Sequence, residues 1–153
     1  MTYAGFWKRF LAWIIDSIIL GVATGFLVFP ALALVGVSVF ATATSDEPET
    51  GIGFIIAALG AYFMAIMCAA VGGWLYFALM ESSARGATVG KMALGIRVTD
   101  LTGNKISFGK ATGRYFGKII SGMILYIGFI MAGFTEKKQA LHDMMAGCLV
   151  VNK

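Results

Sequence analysis

Lys8-Arg9-Phe10-Leu11-Ala12-Trp13-Ile14-Ile15-Asp16 opens a long apolar segment and sets a carboxylate well inside it. A charge at the centre of a membrane span costs about 2.5–3.5 kcal/mol on insertion scales, so it faces protein or water and has a partner. Arg9 is the nearest candidate. It lies seven residues before Asp16 and shares a helix face with it two turns away, with Trp13 between them. A second partner surface is offered near the other end of the chain by Gln139-Ala140-Leu141-His142-Asp143. The rest of the chain is then a frame that brings these charged groups together at a membrane boundary.

Composition agrees with that reading. The chain has 153 residues, 59% hydrophobic and 13% charged, and its mean hydropathy is +0.84. A soluble domain carries about 25% charged residues. One domain over residues 1–153 is expected at this length. The formal net charge of +4 matters less than where the charges fall. Cys68 and Cys148 make no disulfide framework, and no Cys/His cluster has zinc spacing, so neither metal nor cofactor is expected. The apolar run from Phe10 to Ala43 is longer than the roughly 7–15 residues of a signal-peptide core, so it is expected to stay as a transmembrane helix.

The first helix is expected over about residues 5–40, kinked at Pro30, with Ser17, Gly21 and Gly25 forming a small-residue ridge. Ser45-Asp46-Glu47-Pro48-Glu49 is an acidic turn. The second helix is expected over about residues 52–80. Its Gly53, Ala57, Ala61, Ala65, Ala69 and Gly73 fall four apart, a stripe for close helix packing. The ridge of helix one is the first choice of partner for this stripe, and a dimer interface is the competing use. Trp74, Tyr76 and Phe77 mark the membrane interface.

Residues 81–118 carry Arg85, Lys91, Arg97, Lys105, Lys110, Arg114 and Lys118 against Glu81 and Asp100. By the positive-inside rule this region is cytoplasmic, and Lys8 and Arg9 put the N-terminus there too. The expected location is the inner (cytoplasmic) cell membrane, crossed more than once. Lys91, Arg97, Lys110, Arg114 and Lys118 are candidates for anionic lipid headgroups. A small β hairpin is expected within residues 81–108, from the run 93–100, the turn 101–104 and Ile106-Ser107-Phe108. Ser107 is placed to cap a helix starting at Phe108 or Gly109. Residues 109–134 begin amphipathic and become fully apolar. Residues 135–153 hold the Gln139–Asp143 motif and a strand-like run at Gly147–Val151. If that strand pairs with 94–99, the segment 119–134 must enter the membrane and return. If it spans, Lys137 and Lys138 fall outside, against the charge rule. The return is favoured. The fold class is therefore an all-α membrane protein: a two-helix transmembrane hairpin, a third apolar segment that is re-entrant, in-plane or spanning, and a small cytoplasmic β element.

Three blocks together resemble the RDD family of small bacterial membrane proteins. They are Gly5-Phe6-Trp7-Lys8-Arg9 with Ile14-Ile15-Asp16; Gly86-Ala87-Thr88-Val89-Gly90-Lys91 leading into Leu94-Gly95-Ile96-Arg97-Val98; and Gln139–Asp143 followed by Ala146-Gly147. The family is named for one arginine and two aspartates, and Arg9, Asp16 and Asp143 fill those places. The resemblance covers essentially the whole chain. It implies candidate transport, with sodium/proton exchange linked to some members.

From the residues themselves, Arg9, Asp16 and Asp143 suit either an ion or proton site, with His142 adding a group that titrates near neutral pH, or a structural clamp. Gly86–Lys91 fails the phosphate-loop pattern, having three residues between the glycines and Met92 where Ser or Thr belongs, and reads as a turn. No nucleophile and base are paired, so no enzyme is expected, and the scattered basic residues fit no nucleic-acid module. The leading function is transport or exchange of a small ion or solute by a homo-oligomer or with a membrane partner protein. The alternative is a non-catalytic membrane scaffold or accessory subunit.

Overall fold

The computed structural model describes residues 2–45, 48–124 and 127–153, with side chains at 48–50 left aside. Asp46 and Glu47 of the expected acidic turn lie outside the described residues. Two helices dominate: α1, Phe6–Thr44, and α2, Pro48–Ser82. Both are long and apolar enough to cross a membrane. Pro30 lies inside α1, which continues to Thr44. After them come α3 (Val89–Ala93), β1 (Ile96–Asp100), α4 (Phe108–Met123), α5 (Ile127–Ile130), a 3-10 turn at Met131–Gly133, α6 (Leu141–Met145) and β2 (Cys148–Asn152).

The chain divides into two compact units: residues 19–73, and residues 1–18 with 74–153. In the first unit, the buried and half-buried positions of α1 are Leu20, Thr24, Gly25, Val28, Ala31, Val35, Ser38 and Thr42. Those of α2 are Gly51, Ile55, Ala58, Tyr62, Ala65, Ala69 and Gly73. From Thr24 to Thr42, with Gly25 beside Thr24, and from Gly51 to Ala69 the steps alternate between four and three. That 3.5-residue period is the seam of left-handed helix pairs. At its end the Gly51 backbone rests on the Thr42 side chain, leaving no room for a Cβ. The expected stripe therefore lies on the seam only in part. Ala65 is buried and Ala69 and Gly73 are half-buried, but Gly53, Ala57 and Ala61 are exposed. The ridge fares similarly: nothing approaches within 4 Å of a Cβ built at Gly21 or at Gly53. Residues four apart turn a further 40° around a helix of 3.6 residues per turn, so a long run of them winds off any one face.

The second unit holds the sheet and the polar core. β1 pairs antiparallel with β2, from Ile96 opposite Asn152 to Asp100 opposite Cys148. The N-terminus lies along the other edge of β2: Ala4 N donates to Val150 O at 2.9 Å and Asn152 N to Thr2 O at 2.9 Å. The expected hairpin is thus corrected. Ile106–Phe108 is not a strand, and β1 takes its partner from the end of the chain. The reason is burial. Ile96, Val98, Cys148 and Val150 all enter one apolar core with Ala4, Ala12 and Ala78, and Ile106 joins it from the loop before α4 instead of from a strand. Ser107 does cap α4, accepting from Lys110 N at 3.3 Å. After α4 the chain doubles back, so that Gly128 of α5 stands against Ser121, whose Cβ lies 2.8 Å from where a glycine side chain would begin. The axes of α4 and the following helical segment differ by 118°.

Candidate functional site

Two carboxylate centres lie in the unit formed by residues 1–18 and 74–153, and they differ in kind. Asp16, 1% exposed, is held by neutral donors. Tyr76 Oη donates at 2.8 Å, Thr88 Oγ1 at 2.6 Å and the Gly90 amide at 2.8 Å. Tyr76 Oη in turn accepts from Val89 N at 3.1 Å. Asp16 and Tyr76 thus cap the first turn of α3 from outside, Asp16 taking the Gly90 amide and Tyr76 the Val89 amide that the short helix leaves open. Gly90 is required for this approach: a Cβ there would collide with the Ala12 carbonyl oxygen and stand 3.0 Å from the Asp16 carboxyl carbon. The Gly86–Lys91 stretch, expected to be a plain turn, is the receptor for the carboxylate. Gly86 makes its sharp bend at φ +60° while its carbonyl accepts from Val98 N at 2.7 Å.

The second centre is ionic. Asp143 is fully buried. It accepts from Arg9 Nη1, from Arg114 Nε at 2.6 Å, and from the Ala140 amide at 3.1 Å. Arg114 then reaches Glu81 through Nη1 at 2.6 Å. Glu81 also accepts from Lys91 Nζ and lies 3.6 Å from Lys118 Nζ. Four cations thus converge on two carboxylates, with Arg114 bridging both. Its planar fork suits that task better than a lysine would. Burial works against the charge of Asp143, but Arg114 and Arg9 win and hold its carboxyl well below the usual carboxylate range. Burial and the Arg114 guanidinium push the Lys91 ammonium down to about 7, against the pull of Glu81. Arg9 Nη2 is buried without a hydrogen-bond partner among the described residues.

His142 packs on Gly117, where a Cβ would come within 3.1 Å of its own, with Nδ1 3.3 Å from Ser121 Oγ. Burial pushes its imidazole down to about 3, so at neutral pH it is uncharged and no counter-ion to Asp143.

The expected set Arg9, Asp16, Asp143 and His142 is thus divided. Arg9 bonds Asp143, not Asp16, because Asp16 is already met by Tyr76 of α2, the Thr88 hydroxyl and the Gly90 amide. Of the expected headgroup contacts, Arg97 and Lys110 are exposed. Lys91 and Arg114 are buried in ion pairs, and Lys118 sits over the Phe77 ring at 4.1 Å. Those three are engaged with protein because Glu81 would otherwise stand uncompensated. Tyr76, Thr88, Gly90 and Glu81 were not anticipated. Glu81 carried a signal: it is an acid at the end of an apolar helix, entering an otherwise basic stretch. Among the described residues, no three of His, Cys, Asp and Glu group to hold a metal ion.

Two long apolar helices, with a buried charge network where the start of α1 meets the end of α2, define a helical membrane protein. The chain belongs to the RDD family, whose profile matches residues 3–147. It is 38% identical over 151 residues to the Bacillus subtilis (strain 168) protein named Uncharacterized protein YxaI, covering 98% of this chain and 97% of that one. It is 31% identical over 158 residues to Uncharacterized membrane protein YteJ of the same organism, covering 99% and 82%. No solved structure matches.

Proposed function

We propose that the Arg9/Asp16/Asp143 set is a structural clamp and that the protein is a non-catalytic scaffold or accessory subunit of the inner membrane. The observation that carries this is the bonding of both carboxylates. Each is at most 1% exposed and is met by three donors, all from distant parts of the chain for Asp16 and two of the three for Asp143. A transport site needs a water route and a ligand that can leave. Asp143, held by two guanidinium groups, has neither. The pairing of β2 with β1 and with the N-terminal residues supports both termini on the cytoplasmic side, with the basic stretch, and residues 108–133 as a re-entrant element.

A second reading rests on Asp16. Its hydrogen-bond donors are neutral, so no cation is bonded to it and it is the carboxylate open to a small cation when water reaches it. Exchange of that kind needs several copies, because two spans enclose no pathway. Gly53, Ala57 and Ala61, exposed off the seam, are available for the contact. The deciding experiment is ion and proton flux in liposomes holding the purified protein, with Asp16→Asn and Asp143→Asn at matched folding. The clamp predicts flux no higher than in empty liposomes, and variants that only melt earlier. Flux in the parent protein that Asp16→Asn abolishes without lowering the melting temperature would replace the clamp with exchange.

A further inference from the structure

The cations of the network are spent on Glu81 and Asp143, yet two lysines outside it are not. Lys8 and Lys138 line one open groove of about 610 Å³ between the start of α1 and the loop after the Met131–Gly133 turn. Lys8 Nζ donates to the neutral Asn152 Oδ1 at 2.8 Å. Lys138 Nζ stands 3.9 Å from where a Cβ on Gly5 would be, over the first turn of α1. Among the described residues neither ammonium has a carboxylate partner.

Lys138 is exposed, but its backbone is held in place. It has φ +48°, the one non-glycine in the left-handed region among the described residues, a conformation of about 1 kcal/mol or more in cost. The surrounding loop enforces it. Lys138 N donates to Thr135 O at 2.9 Å, Gln139 N to Thr135 Oγ1 at 2.7 Å, and Gln139 Nε2 to Cys148 O at 2.9 Å.

The other walls are apolar. Phe6, Trp7, Ile130 and Phe134 line the same groove, with Trp7 72% and Phe134 86% exposed. A free phosphate would meet the lysines but leave these rings in water, and an apolar ligand would leave both charges unmet. A molecule with an anionic head and an acyl chain satisfies both. We infer that the groove of Lys8 and Lys138 binds one anionic phospholipid, its phosphate between the two ammonium groups and an acyl chain along Phe6, Trp7, Ile130 and Phe134. This holds whether the buried network is a clamp or an exchange site, since it uses none of those residues.

The test uses the full chain with Trp7 as sole tryptophan (Trp13→Phe, Trp74→Phe) in phosphatidylcholine vesicles. Trp7 fluorescence is quenched by brominated phosphatidylglycerol or brominated phosphatidylcholine at equal mole fraction. The expected preference for the anionic lipid is about 30-fold, from two basic residues at the usual contribution of each. It falls to about unity in Lys8→Gln/Lys138→Gln and survives in Lys8→Arg/Lys138→Arg, and excess inorganic phosphate does not relieve the quenching. Equal quenching by both lipids in the parent chain overturns the inference. So does a preference that persists in a folded glutamine pair, and so does competition by inorganic phosphate, which would make this a site for a free anion.

Discussion

Residues 19–73 and the unit made of residues 1–18 and 74–153 are held by different forces. In the first, the buried side chains on the seam are small, Ala31, Ala58 and Ala65 among them, and hydroxyls bond back into their own helix, as Ser38 does to Leu34 O at 2.8 Å. Lipid is as apolar as leucine, so burying such surface adds little, and cohesion comes from close van der Waals fit. In the second unit Glu81, Lys91, Arg114 and Asp143 are buried, and nearly every polar atom among them is answered. Such a network adds little net stability over an apolar core, yet breaking one partner is severe. One region tolerates exchange of like for like. The other tolerates almost none.

The largest effect follows from that asymmetry. Glu81→Gln leaves Lys91 without its countercharge and Arg114 with one of its two, and Asp143→Asn does the same to Arg9 and Arg114. Each should destabilise by about 3–5 kcal/mol, read as loss of thermal stability in detergent. If both variants melt within a degree or two of the parent chain, the network is not what holds this unit. Asp16→Asn comes next. It keeps an acceptor oxygen for Tyr76 and the Gly90 amide but turns an NH2 toward the Thr88 hydroxyl, at about 1–3 kcal/mol. A cost equal to that of Asp143→Asn would erase the distinction between the two aspartates.

The distinction within α2 is a smaller and sharper test. Ala65→Leu pushes an isobutyl group into the seam and should cost about 1–3 kcal/mol. Ala61→Leu faces away and should stay within about 0.5 kcal/mol. Reversed effects in the two melting curves would move the seam onto the every-fourth stripe.

That stripe shows where the sequence was readable and where it was not. Two long apolar helices, the membrane class and the Ser107 cap follow from runs and neighbours, which are local properties. The return of the Cys148–Asn152 strand to Ile96–Asp100 was legible as one of two routes for the third segment. What misled was counting in fours. Gly53 to Gly73, and Lys110, Arg114 and Lys118, each wind off one face, so Lys110 is exposed while Arg114 is buried. The partners of Asp16 were hidden for another reason. Tyr76, Thr88 and the Gly90 amide lie 60 to 74 residues away, and a backbone amide leaves no mark in a sequence except the glycine that lets a neighbour come near.

His142 carries the smallest effect and distinguishes a pH sensor from a buried wedge. Its imidazole is pushed down to about 3 by burial, whereas the unfolded chain protonates near 6.5. Between those values the unfolded state binds a proton that the folded state does not, so stability is complete above about pH 6.5 and falls as the pH drops below it. From pH 7.5 to 5.5 this group's loss should be about 1.4 kcal/mol. The depressed Asp143 carboxyl adds nothing there, since its own loss begins only below the ordinary carboxylate range, whereas Lys91, pushed down to about 7, adds a loss of the same sign until the pH has fallen past 7. His142→Gln should reduce the slope, most clearly below about pH 6.5, while lowering stability at pH 7.5, because Ser121 and Gly117 lose a fitted neighbour. A slope unchanged by the substitution would assign the acid sensitivity to another group. A slope of opposite sign would mean that His142 is charged in the fold, which would return it to Asp143 as a working partner.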